Sequence, residues 1–329
     1  AAPGLREDLG ALLDLLDAVA TPGPVDEAEL ANAKARARAR GAGRRRSARA
    51  DAEDRLLARA FGGPFAPPED PEAAWEALDL ETVRAFAGDV VCGPNLAVSL
   101  VGGFDPDVVR RRVESFDGRL ADGPRWRPAV EAPSWAGFDA PTVFEPTARN
   151  QVSVVVAFPG VGVQAQDERA ALDLVDAWWS GRRIPSGPLY DALRGERDLA
   201  YAVEATHLPM PGAGLFFVHV RCAPDRYAET VGAIDGALAT LAEAKLGPDD
   251  LRAARNVLLA SRQSVVQTAA ARARLHALAE VYDLTGDGGD AYRSCVAATD
   301  LDAVRAAIRA RFAAPGRRLV LWPEGVSRP

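Results

Sequence analysis

The chain has 329 residues, 48% of them hydrophobic and 26% charged, with a formal net charge of −7. That length is enough for two domains, each burying its own core. A pI near 5.2 excludes a dedicated nucleic-acid binder, whose footprint is basic, and no apolar run reaches the ~18–20 residues of a membrane span. Three cysteines without C-x-x-C spacing exclude a disulfide scaffold and a cysteine-rich zinc site. Three histidines, no two spaced to share a helix face, argue against a self-contained histidine metal site. The chain opens at Ala1 rather than Met, and no signal peptide is read in it.

In chain order, apolar spacing predicts helices over residues 5–19, 26–40 and 80–87, a strand over 97–102 and a helix over 105–116. The basic stretch Lys34, Arg36, Arg38, Arg40, Arg44, Arg45, Arg46, Arg49 and Arg55 holds no aromatic to stack a base. It reads as a solvated helix surface with an Arg-rich turn at Gly41–Gly43. Residues 121–149 are dense in proline and read as a semi-rigid linker, docked by Trp126 and Trp135. A β-branched run predicts a buried strand over 151–158, and apolar positions at helical spacing predict a helix over 167–179. A short helix over 186–194 leads to a strand pair, 199–206 and 215–222, joined by 209–214. Helices over 224–244 and 248–284, a turn at 285–290, a helix over 301–312 and a strand over 318–322 complete the chain. This is an α+β fold, a mixed or antiparallel sheet with helices packed on one face.

An internal repeat organises these elements. Asp79-Leu80-Glu81-Thr82-Val83-Arg84-Ala85 matches Asp300-Leu301-Asp302-Ala303-Val304-Arg305-Ala306 at an offset of 221, and Leu13/Ile234, Leu30/Leu251 and Pro94/Pro315 follow without a gap. Two homologous modules result: an incomplete first module over 1–120 lacking its opening strands, the linker over 121–149, and a complete second module over 150–329. The strand at 151–158 has its counterpart about 70 residues before Ala1.

Most single motifs have bland readings. Gly160-Val161-Gly162 lies between a strand and a helix, but no second parallel strand ending in an acid follows, so it is not a dinucleotide loop. Glu204 and His207 lie close together with His219 on the partner strand and no further ligand apparent, and His276 sits inside an amphipathic helix. Asp283, Asp287 and Asp290 lack calcium-loop spacing. Cys92, Cys222 and Cys295 lie in apolar contexts, as small buried hydrophobes do.

The segment from Ser186 to Tyr201 stands out. A short helix ends near Arg197 and a strand begins at Leu199, so Arg194 and Tyr201 can aim polar ends at one spot. Here the sequence resembles the pitrilysin/insulinase family of zinc peptidases, whose second module carries leucine-arginine, a short charged turn, then leucine-glycine-tyrosine. Ala200 stands where glycine is commoner. The likeness also takes in Pro64-Phe65, Pro94-Asn95 and Gln151. It implies that Arg194 and Tyr201 are substrate-binding residues. Family enzymes hold zinc through an inverted H-x-x-E-H helix and a downstream glutamate. No such helix occurs here, and residues 30–50 hold no carboxylate.

The resemblance therefore implies a non-catalytic subunit, without a metal site or cofactor, of a heterodimeric zinc endopeptidase acting on unstructured peptides. Its expected partners are a homologous zinc-binding catalytic subunit and the peptide, with no nucleic acid and no membrane span. The alternatives are a structural scaffold, like family homologues in respiratory complexes, or the zinc-less part of a single-chain peptidase. The Ala/Arg-rich, nearly lysine-free composition points to a high-GC bacterium, with the cytoplasm set ahead of the periplasm.

Overall fold

A computed structural model describes residues 2–20, 25–66, 68, 70–117, 120–126, 130–182, 184–195, 198–284 and 290–329. The predicted turn at 285–290 lies almost wholly outside them. The chain forms two compact units, one of Ala1–Gly43, Pro68–Pro128 and Gln263–Gly289, the other of Arg44–Pro67, Ala129–Arg262 and Asp290–Pro329. Among the described residues no helix is long and apolar enough to cross a membrane.

The second unit is built on a five-stranded mixed sheet. Its strands are β1 (Thr142–Thr147), β2 (Val152–Pro159), β3 (Ala202–Pro209), β4 (Gly214–Cys222) and β5 (Arg317–Pro323), in spatial order β1-β5-β2-β4-β3. β1 runs parallel to β5, and every other pairing is antiparallel. β1 falls inside the stretch read as linker. Its prolines hid it, yet an edge strand tolerates proline because one side of its ladder goes unused. Trp135 packs against Phe138 at 5.8 Å, whereas Trp126, the other expected anchor, is 62% exposed.

From Val152 to Phe158 every residue of β2 is buried, as a run without alternation requires. One set of its side chains, Val152, Val154, Val156 and Phe158, joins a large cluster with helices α7 (Gln166–Ser180), α8 (Pro188–Arg194), α9 (Tyr227–Ala242), α10 (Pro248–Val265), α12 (Asp290–Ala298) and α13 (Leu301–Phe312). Phe312 meets Phe158 and Phe216 edge-on at 4.9 and 5.0 Å. The other set, Val155 and Ala157, packs under helix α3 (Ala48–Phe61) through Ala52, Leu56 and Ala60. Helices of the second repeat other than α11 thus cover one face, as predicted, while α3, drawn from residues 48–61, covers the other.

The first unit holds α1 (Leu9–Ala20), most of α2 (Glu27–Arg46), α4 (Pro71–Ala77), α5 (Leu80–Val90), α6 (Pro106–Asp117) and α11 (Ala269–Val281). α2 runs through Gly41–Gly43, where a turn was predicted. The strand predicted over 97–102 pairs with nothing, because no partner strand occurs among this unit's described residues. The helix predicted over 248–284 is two helices, the second capped by Thr268, which accepts from the Ala271 amide at 3.1 Å.

The helices recur at the sequence offset of 221. α2 and α10 start at Glu27 and Pro248, α3 and α11 at Ala48 and Ala269, α5 and α13 at Leu80 and Leu301. Their caps recur too. Ser47 and Thr268 each accept from the third amide onward, as do Asp79 and Asp300.

Leu56 has no solvent exposure. Leu56→Ala is expected to cost about 2–5 kcal/mol by chemical denaturation, and a loss under 1 kcal/mol would mean that α3 does not seal the sheet.

His219 of β4 stands opposite Val155 and Glu204, nearly unexposed, with no hydrogen-bond partner for either ring nitrogen among the described residues. Burial, then the nearby charges of Arg221 and Arg49, push its pKa from 6.5 down to about 3. Above pH 6.5 the imidazole is neutral in both folded and unfolded chains and adds no pH dependence. Below it the unfolded chain binds a proton that the folded chain refuses, so stability falls towards pH 3, by at most ~1.4 kcal/mol per unit. Comparing wild type with His219→Leu at pH 7 and pH 5 should show an extra loss in the wild type on the order of 2 kcal/mol. Parallel losses would refute a buried neutral imidazole.

Candidate functional site

Helix α8 is short and firmly seated. Pro188 supplies its first residue, where the missing amide costs nothing, and Leu189 and Leu193 are fully buried. Gly187 precedes it at φ 94°, and a Cβ there would lie 2.7 Å from the Trp178 carbonyl oxygen. α8 ends at Arg194, after which the Leu199 amide donates to the Leu193 carbonyl at 2.9 Å and turns the chain towards β3. Asp198, at φ 43°, makes the bend, and residues 196 and 197 lie outside the described ones.

This turn brings the two predicted site residues together. Arg194 Nη1 donates to the Tyr201 carbonyl oxygen at 3.2 Å, and Nη2 lies 3.8 Å from Asp198. The guanidinium stands over the Tyr190 ring, 5.9 Å from its centroid. The Tyr201 amide donates to the Arg221 carbonyl at 2.7 Å, fixing the backbone, while the residue is 56% exposed. Tyr201 thus presents its phenol outward beside a guanidinium with donors to spare. Beside Arg194 opens a pocket of about 470 Å³ lined by Arg49, Ile184, Pro185, Tyr190 and Glu204, among others.

Joined to the pocket through Ser180 is a buried polar network that the sequence reading missed. Asp173 and Asp176 lie one turn apart on α7, both almost fully buried. His207 Nδ1 donates to Asp173 at 3.0 Å, and its Nε2 accepts from the Val161 amide at 3.4 Å, so the ring proton sits on Nδ1. Tyr292 donates to the other oxygen of Asp173, and its ring lies between the guanidiniums of Arg169 and Arg262 at 4.6 and 4.2 Å. Arg182 approaches Asp173 and Asp176 at 3.6 and 3.4 Å. Burial alone would raise the Asp173 carboxyl. The His207 hydrogen bond, with Arg182 and Arg169, instead holds it below the usual carboxylate range. Burial prevails at Asp176, pushing it up to about 6 against Arg182 and the Ser180 hydroxyl, and burial with Asp173 raises the Tyr292 phenol. The one sequence signal was the pair of acids inside an otherwise apolar helix.

The other candidates separate. His207 points to α7 and Glu204 to α3, where Arg49 binds it and also donates to Thr206 Oγ1 at 3.0 Å. His276 is half-buried on α11. Gly160 and Gly162 serve backbone approach, since a Cβ would meet Leu215 at 2.7 Å and Gly212 at 2.8 Å. Cys92 and Cys222 are buried and Cys295 half-buried, all free. Among the described residues no three His, Cys, Asp or Glu side chains converge to hold a metal ion. α2 carries Glu27 and Glu29 alone as carboxylates. These residues do not fit a zinc ion.

Known structures share this architecture. The peptidase M16 inactive domain from Pseudomonas fluorescens superposes with a TM-score of 0.82 at 18% identity, over 98% of this chain and 77% of that one. A protease from Helicobacter pylori gives 0.76 at 14%, over 98% and 78%. A chain of complex III2 from Candida albicans gives 0.72 at 11%, over 97% and 77%. At these identities the likeness establishes the fold. No curated protein matches the sequence. The family described as "Peptidase M16 inactive domain" matches residues 77–258, more than half of the chain. The chain belongs to the peptidase M16 inactive-domain family, the pitrilysin-type assignment to which its sequence pointed.

Proposed function

We propose that this chain is the substrate-binding, non-catalytic subunit of a heterodimeric zinc endopeptidase that acts on unstructured peptides, with the metal held by a homologous catalytic partner. The observation that carries the reading is the pairing of Arg194 with Tyr201 between α8 and β3, in a chain whose described residues bring no three His, Cys, Asp or Glu side chains together for zinc. Family membership supports the non-catalytic part of it. On this reading Arg194 offers its remaining N–H groups to a peptide carbonyl, and the exposed Tyr201 phenol donates to the peptide backbone. We place the complex in a bacterial cytoplasm, a reading supported by the composition and the three free cysteines.

A scaffold role is the second reading, favoured by the shared fold with a chain of complex III2. A third is the zinc-less part of a single-chain peptidase, against which residues 30–50, free of carboxylates, stand.

The test uses the chain assembled with a homologous zinc-binding catalytic subunit. Arg194→Ala and Tyr201→Phe should each lower kcat/KM about 100- to 1,000-fold, the usual effect of removing a donor aimed at the transition state. The double variant should lose less than the sum, because both groups act on one bound peptide. Turnover per assembled complex that is unchanged in both single variants would leave the scaffold reading standing.

A further inference from the structure

We propose that the pocket beside Arg194 binds a carboxylate of the peptide, with Arg194 as its counter-ion. This names the substrate chemistry of the site proposed above and rests on that reading. Among the described residues, two cations and one carboxylate line the pocket: Arg49, Arg194 and Glu204. Arg49 is committed, bound to Glu204 and donating to Thr206. With that pair neutral, Arg194 is the charge that the described lining leaves to a ligand.

Arg194 is also poorly satisfied. A guanidinium carries five N–H donors in a planar fork. The Tyr201 carbonyl takes one, and Asp198 stands 3.8 Å away and 81% exposed in its side chain. Such exposed pairs contribute little to stability, so a ligand carboxylate that accepts two N–H groups side by side replaces Asp198 readily. Stacking over Tyr190 holds the guanidinium at the pocket rather than in bulk solvent. Ile184, 55% exposed, and Pro185 form an apolar wall for the methylene stem of the incoming group.

The surroundings favour an anion as well. The approach to Arg49 runs Arg44-Arg45-Arg46, with Arg45 and Arg46 exposed, in a chain whose net charge is −7. Arg44 is bound to Asp54, and exposed arginines such as Arg45 and Arg46 on an acidic protein attract acidic peptides and repel basic ones. An acidic side chain and a peptide C-terminus present the same chemistry here.

The experiment is fluorescence anisotropy of the full chain with four labelled, unstructured peptides of one length. One has a single Glu and a free C-terminus, one has Gln for Glu, one has a C-terminal amide, and one has both changes. The doubly neutral peptide should bind about tenfold more weakly or worse, the usual loss with a charge-assisted bidentate contact. Whichever single change reproduces that loss names the carboxylate. In Arg194→Gln, checked for an unchanged melting curve, the ratio of acidic to neutral binding should fall to about one. Equal binding of all four peptides overturns the proposal and leaves the peptide-binding reading intact. An acidic preference that survives Arg194→Gln also overturns it. Binding of no peptide at any soluble concentration refutes the peptide-binding reading, and the proposal with it.

Discussion

Burial of β2 on both faces is the constraint from which the second unit follows. Its seven residues from Val152 to Phe158 are shielded on either side, so the sheet needs two covers. Helices of the same repeat supply one. The other is α3, whose Ala52, Leu56 and Ala60 form a stripe at four-residue spacing against Val155, Ala157, Phe217 and Leu319. The stripe is narrow, with Leu56 seated between two alanines. Its flanks are polar, and its arginines find acceptors on the strands: Arg49 at Glu204, Arg55 at Glu145 with 2.8 Å between them, and Arg59 at Glu145. What reads in sequence as a solvated basic stretch is partly the rim of a buried helix.

The candidate site stands where β3 of the same sheet begins. Gly181 follows the end of α7, and Gly187 leads into α8. A Cβ at Gly181 would lie 2.3 Å from the Ile184 carbonyl oxygen, at a backbone angle of φ 68° that glycine adopts without strain. Arg182 follows at φ 45°, an unfavourable angle for a side-chain-bearing residue. Its hold on the buried Asp173 and Asp176 offsets that strain. The network around Asp173 therefore works through position. It holds Arg182 just after α7, and α8, seated by the buried Leu189 and Leu193, carries Arg194. A carboxylate at Asp176 that burial pushes up to about 6 is the cost of placing two acids one turn apart without solvent.

How much of this the sequence disclosed depends on whether the signal was local. β2, β4, α7, α9 and α13 follow from apolar periodicity, and the Arg194–Tyr201 turn from a short motif whose residues touch through the backbone. β1 was hidden because its pairing with β5 joins residues some 175 apart, and no local pattern marks a proline-flanked edge strand. α3 was hidden because alanine and arginine dominate it, and its register becomes legible only once the sheet beneath is known. The Asp173 network joins α7, β3, α10 and α12. Pattern reading could mark two acids in an apolar helix but could not name His207 and Tyr292 as their partners.

The duplication shows how tertiary context decides the fate of equal local signals. α3 and α11 start at the same repeat position, each behind a hydroxyl cap, yet α3 belongs to the second unit and α11 to the first. At the repeat offset, Ala52, Leu56 and Ala60 of α3 become Ala273, Ala277 and Val281 of α11. The first three are buried against strands, and the second three are half-buried. Capping and helix propensity set where each helix begins, and they are shared. Burial is set by what lies beneath. α3 has a sheet, and the described residues of the first unit contain no strand to give α11 the same cover. A stripe worth several kcal/mol in one repeat is thus worth little in the other, since apolar area contributes only as it leaves water.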